Sequence, residues 1–164
     1  MPNALAHVLL AIFAAELIRR LSKKKFKLFY VLVAGIAGLI PDLDIIFYWF
    51  VNLFTHAPLY NIHRTFTHTI FLPLIFLVLT LVFIKHKKYF LFFGMVTLGI
   101  SVHLLLDLTA TSLRIFYPFS ELRLGLNLIP GGEFGRTILL GFDAILLVSW
   151  LIYQYYNHNL KDFV

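Results

Sequence analysis

The chain has 164 residues, 60% of them hydrophobic and 13% charged, with a mean hydropathy of +0.87; soluble domains average about 45–50% apolar and about 25% charged, so an ordinary soluble fold is excluded. Cysteine is absent, which removes disulfides and thiolate metal sites and leaves nitrogen and oxygen as donors for any ion. The net charge of +6 does not point to nucleic acid, because ten of the fourteen basic residues lie in two short clusters and the tail, the distribution expected of a membrane protein.

A hydrocarbon core of about 30 Å takes about 20 helical residues, with a working range of about 17–25. Five segments are predicted to cross it. The first, 3–20, lacks a basic n-region before it and ends in Arg19-Arg20 rather than a cleavage site, so it reads as a retained helix. The second, 28–54, carries Pro41 and is predicted to run as helix to about residue 40, break over Pro41 to Asp44, and resume through Phe54. A loop follows over 55–67, marked by Thr55, Pro58 and Asn61, and then the spans 68–84 and 89–110. Residues 111–136, with Pro118, Pro130 and Gly131-Gly132, are expected to be partly helical and to lie at the interface before the last span, 137–155. The expected architecture is all-α, a polytopic membrane helix bundle in one integral membrane domain over 1–164.

The basic loops 19–27 and 85–88 join the first span to the second and the third to the fourth, so both fall on one face. Placing that face in the cytoplasm puts the N-terminus outside and the C-terminus, with Lys161, inside. His7 then lies at the outer end of the first span, His63 to His68 at the outer entry to the third, and His103 and Asp107 at the outer end of the fourth. Asp42 and Asp44 sit about 20 Å along the second segment from Lys27. Ionisable groups at membrane depth cost about 2.5–3.5 kcal/mol each on insertion scales and persist where they bind something or relay charge. Their agreement in depth, which used only Lys and Arg in loops, points to a single polar site near the outer leaflet.

Each group has a plain structural alternative. His103 and Asp107, four apart, share a helical face and can chelate one ion, or simply bond each other. Asp42 and Asp44 flank Leu43 after a helix-breaking proline; one is expected to ligate and the other to cap or orient, with Asp42 favoured as ligand and Asp44 suited to capping a helix from Ile45. His63 and His68, five apart, would face about 140° apart on a continuous helix, so one of them is expected to bind unless the turn is irregular. Thr67 is expected to cap the third span. Arg64 beside carboxylates suits a phosphate, or else snorkels. Asp143 and Glu133 are supporting groups or further ligands, Glu16 pairs with Arg19 and Arg20, and His56, His86 and His158 are solvated. Nitrogen and oxygen donors of this kind favour zinc, one or two ions, with manganese or iron as alternatives, and hydrolysis as the reaction class.

Pro41-Asp42-Leu43-Asp44, His63-Arg64-x-x-Thr67-His68, His103-x-x-x-Asp107 followed by Thr109, and Tyr117-Pro118-Phe119-Ser120 resemble the successive signatures of the YdjM-type inner-membrane metal-dependent hydrolases. Their order is also similar to that of the all-helical zinc-dependent phospholipase C and single-strand nuclease superfamily, although that superfamily's downstream His-x-x-x-Glu pair has no counterpart after Asp107. The resemblance implies a prokaryotic plasma membrane protein in which Asp42 or Asp44, His63 or His68, His103 and Asp107 hold a first metal and Asp107 bridges to a second held partly by His7. The candidate ligands are therefore His7, Asp42, Asp44, His63, His68, His103 and Asp107, and the candidate catalytic groups Asp42, Asp44 and Arg64. The expected activity is zinc-dependent phosphoester hydrolysis on a phospholipid or lipid-linked phosphate, with membrane lipids as partners and no nucleic acid. The alternatives are a non-catalytic metal-binding or cation-transport protein, and a scaffold whose polar groups only pair with each other.

Overall fold

The computed structural model describes residues 3–23, 25–54 and 63–157. Most of the expected 55–67 loop, with His56, and the tail, with His158 and Lys161, lie outside the described residues. The fold is α-helical, and its one β feature among the described residues is an isolated antiparallel bridge between Leu113 and Leu124.

Helix α1, Ala4–Leu21, follows from a run of strong helix formers. Asn3 stands at its N-cap but makes no side-chain cap bond; its amide instead donates to Asp143 at 2.6 Å. Helix α2, Leu28–Ala37, stops about a turn earlier than expected, at Gly38, after which a 3-10 turn, Pro41–Leu43, leads into α3, Asp44–Asn52. The chain bends by 45° across this break. The cause lies in Pro41, which has no N–H to offer the Ala37 carbonyl and whose ring crowds that carbonyl a turn back.

Helix α4 covers Phe71–Val82, shorter than the expected 68–84 because residues 68–70 turn toward the later connection, where Ile70 N–H bonds to Ile115 O at 2.9 Å. Helix α5 is Lys87–Ala110 and α6 is Gly132–Asn157. By length and composition α5 and α6 can cross a membrane, and the bent α2–α3 pair can make a third crossing. The 12 residues of α4 rise only about 18 Å.

Helix α5 is central, packed on α1, α2 and α4, while α6 lies on α1. Small residues let the backbones approach closely, as membrane helix pairs require. A Cβ on Gly99 of α5 would collide with the Ala34 carbonyl and the Ala37 side chain of α2, and one on Gly35 would meet Ile12 of α1 at 2.7 Å. Ile12, Ala15, Val31, Ala34 and Met95 form the apolar core beneath these contacts, whereas large apolar side chains such as Phe47, Trp49, Ile145 and Leu151 remain exposed.

The two ends of the bundle differ in chemistry. Asn3–Asp143 contact at one end of α1 and a 2.8 Å bond from the Tyr153 hydroxyl to Glu16 at the other make α1 and α6 run in the same direction. Glu16 also accepts from Arg19 at 2.6 and 2.8 Å and from Arg20 at 3.1 Å, the pairing expected of it. Ser22, Phe26 and Lys87 line one cavity at that end, so the two basic segments do meet there. His7, His63, His68 and His103 gather with Asp42, Asp44 and Asp107 at the opposite end.

Residues 111–131 contain no helix, contrary to expectation. Their backbone bonds are taken by the Leu113–Leu124 bridge and by Leu126 N–H to Leu108 O and Leu128 N–H to Thr109 O, at 2.7 and 2.8 Å, which fold the connection back onto the end of α5.

Candidate metal centre

Helix α5 delivers His103 and Asp107 from adjacent turns of one face, 0% and 1% exposed. Helix α1 delivers His7, whose ring stacks on that of His103 with centroids 3.8 Å apart. Its Nε2 stands 3.8 Å from Asp107 Oδ1. The break after α2 brings Asp42, whose Oδ1 is 3.4 Å from His68 Nε2 and 3.7 Å from His103 Nε2. Nitrogen and oxygen atoms of two triads, His7–His103–Asp107 and Asp42–His63–His68, lie within 4.8 Å of one another, close enough for one ion each.

The 63–70 segment is a series of turns, so the separation of His63 and His68 on a helical wheel does not apply, and both rings enter one pocket with centroids 5.2 Å apart. Asp44 shapes this loop. Its carboxylate bonds to His63 Nδ1 at 2.7 Å, the Arg64 N–H at 3.0 Å and the Thr67 hydroxyl at 2.6 Å. Neither expected cap forms: α3 starts at Asp44 without a side-chain cap bond, and Thr67 gives its proton to Asp44 while Ile70 stands at the N-cap of α4. A carboxylate that meets three donors from a folded-back loop is better satisfied than one capping a single helix turn.

The hydrogen-bond network assigns the imidazole tautomers. His103 Nδ1 donates to the Gly38 carbonyl at 2.7 Å, which leaves Nε2 with a lone pair. The Thr67 oxygen, having given its proton to Asp44, accepts from His68 Nδ1 at 3.0 Å, so it is His68 Nε2 that is turned toward Asp42, His103 and Asp107. His63 Nδ1 donates to Asp44 in the same manner. The Nε2 atoms of His68 and His103 face each other at 3.2 Å, with Asp107 Oδ2 at 3.5 and 3.9 Å. An N···N pair at that distance among carboxylates takes a proton or a metal cation between the two nitrogens, and an outer N–H held by a carboxylate or carbonyl is how metal-ligating imidazoles are oriented. Asp107 Oδ1 and His7 Nδ1 are buried without a hydrogen-bond partner. Three carboxylates against one guanidinium leave surplus negative charge in a buried site. The donor set therefore fits a divalent ion with nitrogen and oxygen ligands.

Arg64 adopts the left-handed backbone conformation, φ 65°, and its Nη2 donates to Asp107 Oδ2 at 2.8 Å. It thus points into the site rather than snorkelling away. Asp143 is buried beside Asn3, with Oδ1 unpartnered. Glu133 is exposed on the first turn of α6, and His86 is exposed before α5. The Gly38 carbonyl and Thr67 are the supporting groups that sequence reasoning missed; the small-residue run before Pro41 was the available signal for the first. The Tyr117-Pro118-Phe119-Ser120 stretch braces the histidine loop, with Tyr117 edge-on to Phe66 at 5.1 Å and Phe119 against Phe71 at 5.4 Å.

The family model of the YdjM inner membrane protein family matches residues 1–160, nearly the whole chain. No curated protein and no solved structure matches it.

Proposed function

Because the chain belongs to the YdjM inner membrane protein family, we propose that it works within the membrane as a metal-dependent hydrolase, cleaving a phosphoester of a phospholipid or lipid-linked phosphate. The observation that carries this reading is the convergence of His7, Asp42, His63, His68, His103 and Asp107, with the Nε2 atoms of His68 and His103 turned toward each other and toward Asp107, in a buried site that also holds an arginine. Zinc suits this donor set, as one or two ions, with manganese or iron as alternatives.

In this reading α1, the bent α2–α3 pair, α4, α5 and α6 make five crossings, the basic end faces the cytoplasm and the site lies near the outer leaflet. The distant kinship with the zinc-dependent phospholipase C superfamily is part of the same proposal. A bound zinc ion would supply Lewis acidity and a water whose pKa is lowered to about 7.

The protein's own groups then have distinct tasks. Arg64 turns its guanidinium from Asp107 to the phosphate oxygens, which it matches bidentately. Asp42 has the most exposed side chain of the three carboxylates, 24% against 6% and 1%, and takes the proton of the attacking water. The water oxygen bonds to phosphorus, the phosphorus–oxygen bond to the leaving group breaks, and the leaving oxygen takes up the proton that Asp42 received and departs as the alcohol. Asp44 keeps His63, Arg64 and Thr67 in place throughout.

The test is metal analysis of the purified protein together with His103→Ala and Asp107→Ala variants assayed on phospholipids. Stoichiometric zinc and turnover, both lost in the variants, support the proposal. Zinc without turnover on any phospholipid or lipid-linked phosphate leaves a metal-binding protein, and no metal at all defeats the reading.

A further inference from the structure

At the opposite end of the bundle, Ile18 and Ser22 at the end of α1, Phe26 and one face of α5 enclose a groove of about 480 Å³, within the range of about 300–1,000 Å³ typical of ligand pockets. We propose that it binds an anionic glycerophospholipid, one acyl chain lying along α5 and the headgroup phosphate beside Lys87. The proposal does not depend on the hydrolase reading, because the groove shares no residue with the His/Asp centre.

The walls are apolar, formed by Ile18 and Phe26 on one side and Phe90, Leu91, Met95 and Leu98 on the other. Of the three hydroxyls on the lining, Ser101 lies at the end of the groove away from Lys87 and the other two are already spent: Ser22 Oγ donates to Ile18 O at 2.7 Å and Thr97 Oγ1 to Phe93 O at 2.9 Å. Neither is left as a donor for a polar ligand. Among the described residues, Lys87 is the one charged residue on the lining.

Length and charge select the ligand. From Lys87 to Ser101 the groove follows α5 for about 21 Å, somewhat more than one leaflet of a hydrocarbon core about 30 Å thick. Its mouth lies at the end that carries Lys23, Lys25 and Lys27 on the α1 side and Lys85 and Lys88 on the α5 side, all exposed. The carboxylate of that end, Glu16, is held by Arg19 and Arg20. A zwitterionic headgroup brings a cation to this lysine cluster along with its phosphate, whereas an anionic one brings charge of the complementary sign only, as basic pockets between membrane helices require.

Gly94 supports the same conclusion. Unlike Gly35 and Gly99, whose missing side chains allow helices to touch, Gly94 could accept a Cβ that meets only the Thr80 methyl at 3.6 Å. Close helix packing does not demand a glycine there, and Gly94 is one of the residues that line the groove.

The full chain in neutral detergent is titrated with phosphatidylglycerol and with phosphatidylcholine of identical acyl chains, and bound lipid is counted by native mass spectrometry. One phosphatidylglycerol binds at least tenfold more tightly than phosphatidylcholine, and the preference shrinks as salt is raised. Gly94→Phe and Leu91→Trp fill the groove and abolish binding of both lipids, while Lys87→Gln, at an exposed position with no folding risk, keeps the chain site and loses most of the preference. Equal binding of the two lipids by the unmodified protein overturns the proposal. So does an undiminished preference in Lys87→Gln combined with Lys23→Gln and Lys85→Gln, which decides the matter even where the groove-filling variants fail to fold. A dimer held through this groove, dispersed by Leu91→Trp and indifferent to lipid, would likewise overturn it.

Discussion

Arg64 and Asp107, 43 residues apart in the chain, are joined by a 2.8 Å hydrogen bond from Nη2 to Oδ2. The same Oδ2 lies 3.5 Å from His68 Nε2, so the guanidinium occupies the carboxylate that a metal ion at this position would claim. Removing the arginine is therefore expected to affect metal binding and turnover in opposite directions. Glycine is the apt replacement, because the backbone of residue 64 is left-handed and glycine accepts that conformation without strain. Arg64→Gly should bind zinc about three- to tenfold more tightly by competition with a chelating dye, as expected from losing a nearby positive charge, while hydrolysis falls about 10²–10³-fold. Weaker metal binding in this variant would mean that Arg64 organises the site rather than serving the substrate.

Asp44 is expected to matter for stability before it matters for chemistry. Its carboxylate receives His63, the Arg64 N–H and the Thr67 hydroxyl, and Asp44→Ala strands three donors in a mostly buried place. A loss of about 3 kcal/mol is expected, read as a lower unfolding temperature in detergent and as proteolysis within 63–70 ahead of global unfolding. Cleavage at the rate of the unmodified protein would show that the loop is held by something else, such as the Phe66–Tyr117 contact.

His7 and Asp143 each present a buried polar atom without a partner, Nδ1 and Oδ1. Asn3 connects them: it precedes His7 by one helical turn and donates to Asp143 Oδ2 at 2.6 Å, and a helical side chain lies over the turn N-terminal to its own Cα. No hydrogen bond joins Asp143 to His7 directly; were the carboxylate to take up His7 Nδ1–H when metal binds, its loss would cost the roughly 10–100-fold in metal affinity common for such outer carboxylates. Asp143→Ala should show a loss of that size in zinc competition, and none beyond that of His7→Ala when the two are combined. Additive losses would separate Asp143 from His7.

Gly99 and Gly94 stand five residues apart on α5 and should respond in opposite ways to alanine. At Gly99 the new methyl would strike the Ala34 carbonyl and Ala37, forcing α2 from α5; a destabilisation of about 1–3 kcal/mol is expected from overpacking. At Gly94 it meets only Thr80 at 3.6 Å, and replacing a helix-interior glycine should raise stability by about 0.5–1 kcal/mol. Thermal unfolding of the two variants in one detergent measures both. Equal destabilisation would refute the close α2–α5 contact that sets His103 against Gly38.

Several features could be read along the chain because they depend on local rules. Pro41 dictates a break wherever the second segment runs, and the 45° bend lies there. His103 and Asp107 share a face because four residues make about one turn. The basic clusters had to meet at one end once the helices alternated in direction, which in turn gathered His7, Asp42, His68 and Asp107 at the other. Membrane-crossing length was less legible. The apolar run that includes α4 continues past both ends of the helix, but only 12 residues are helical because Ile70 bonds to the 111–131 connection.

The amino-acid order by itself determined that this is an all-helical membrane protein with imidazoles and carboxylates gathered at one end, since composition, periodicity and charge placement act through neighbouring residues and solvent. Only the tertiary structure decided what each polar group does there. Asp44 holds a loop instead of capping a helix, His63 and His68 share a pocket, Arg64 pairs with Asp107, and the Gly38 carbonyl orients His103, because the partners lie 19 to 65 residues apart and outside water the hydrogen bonds must be made with whatever group the folded chain presents.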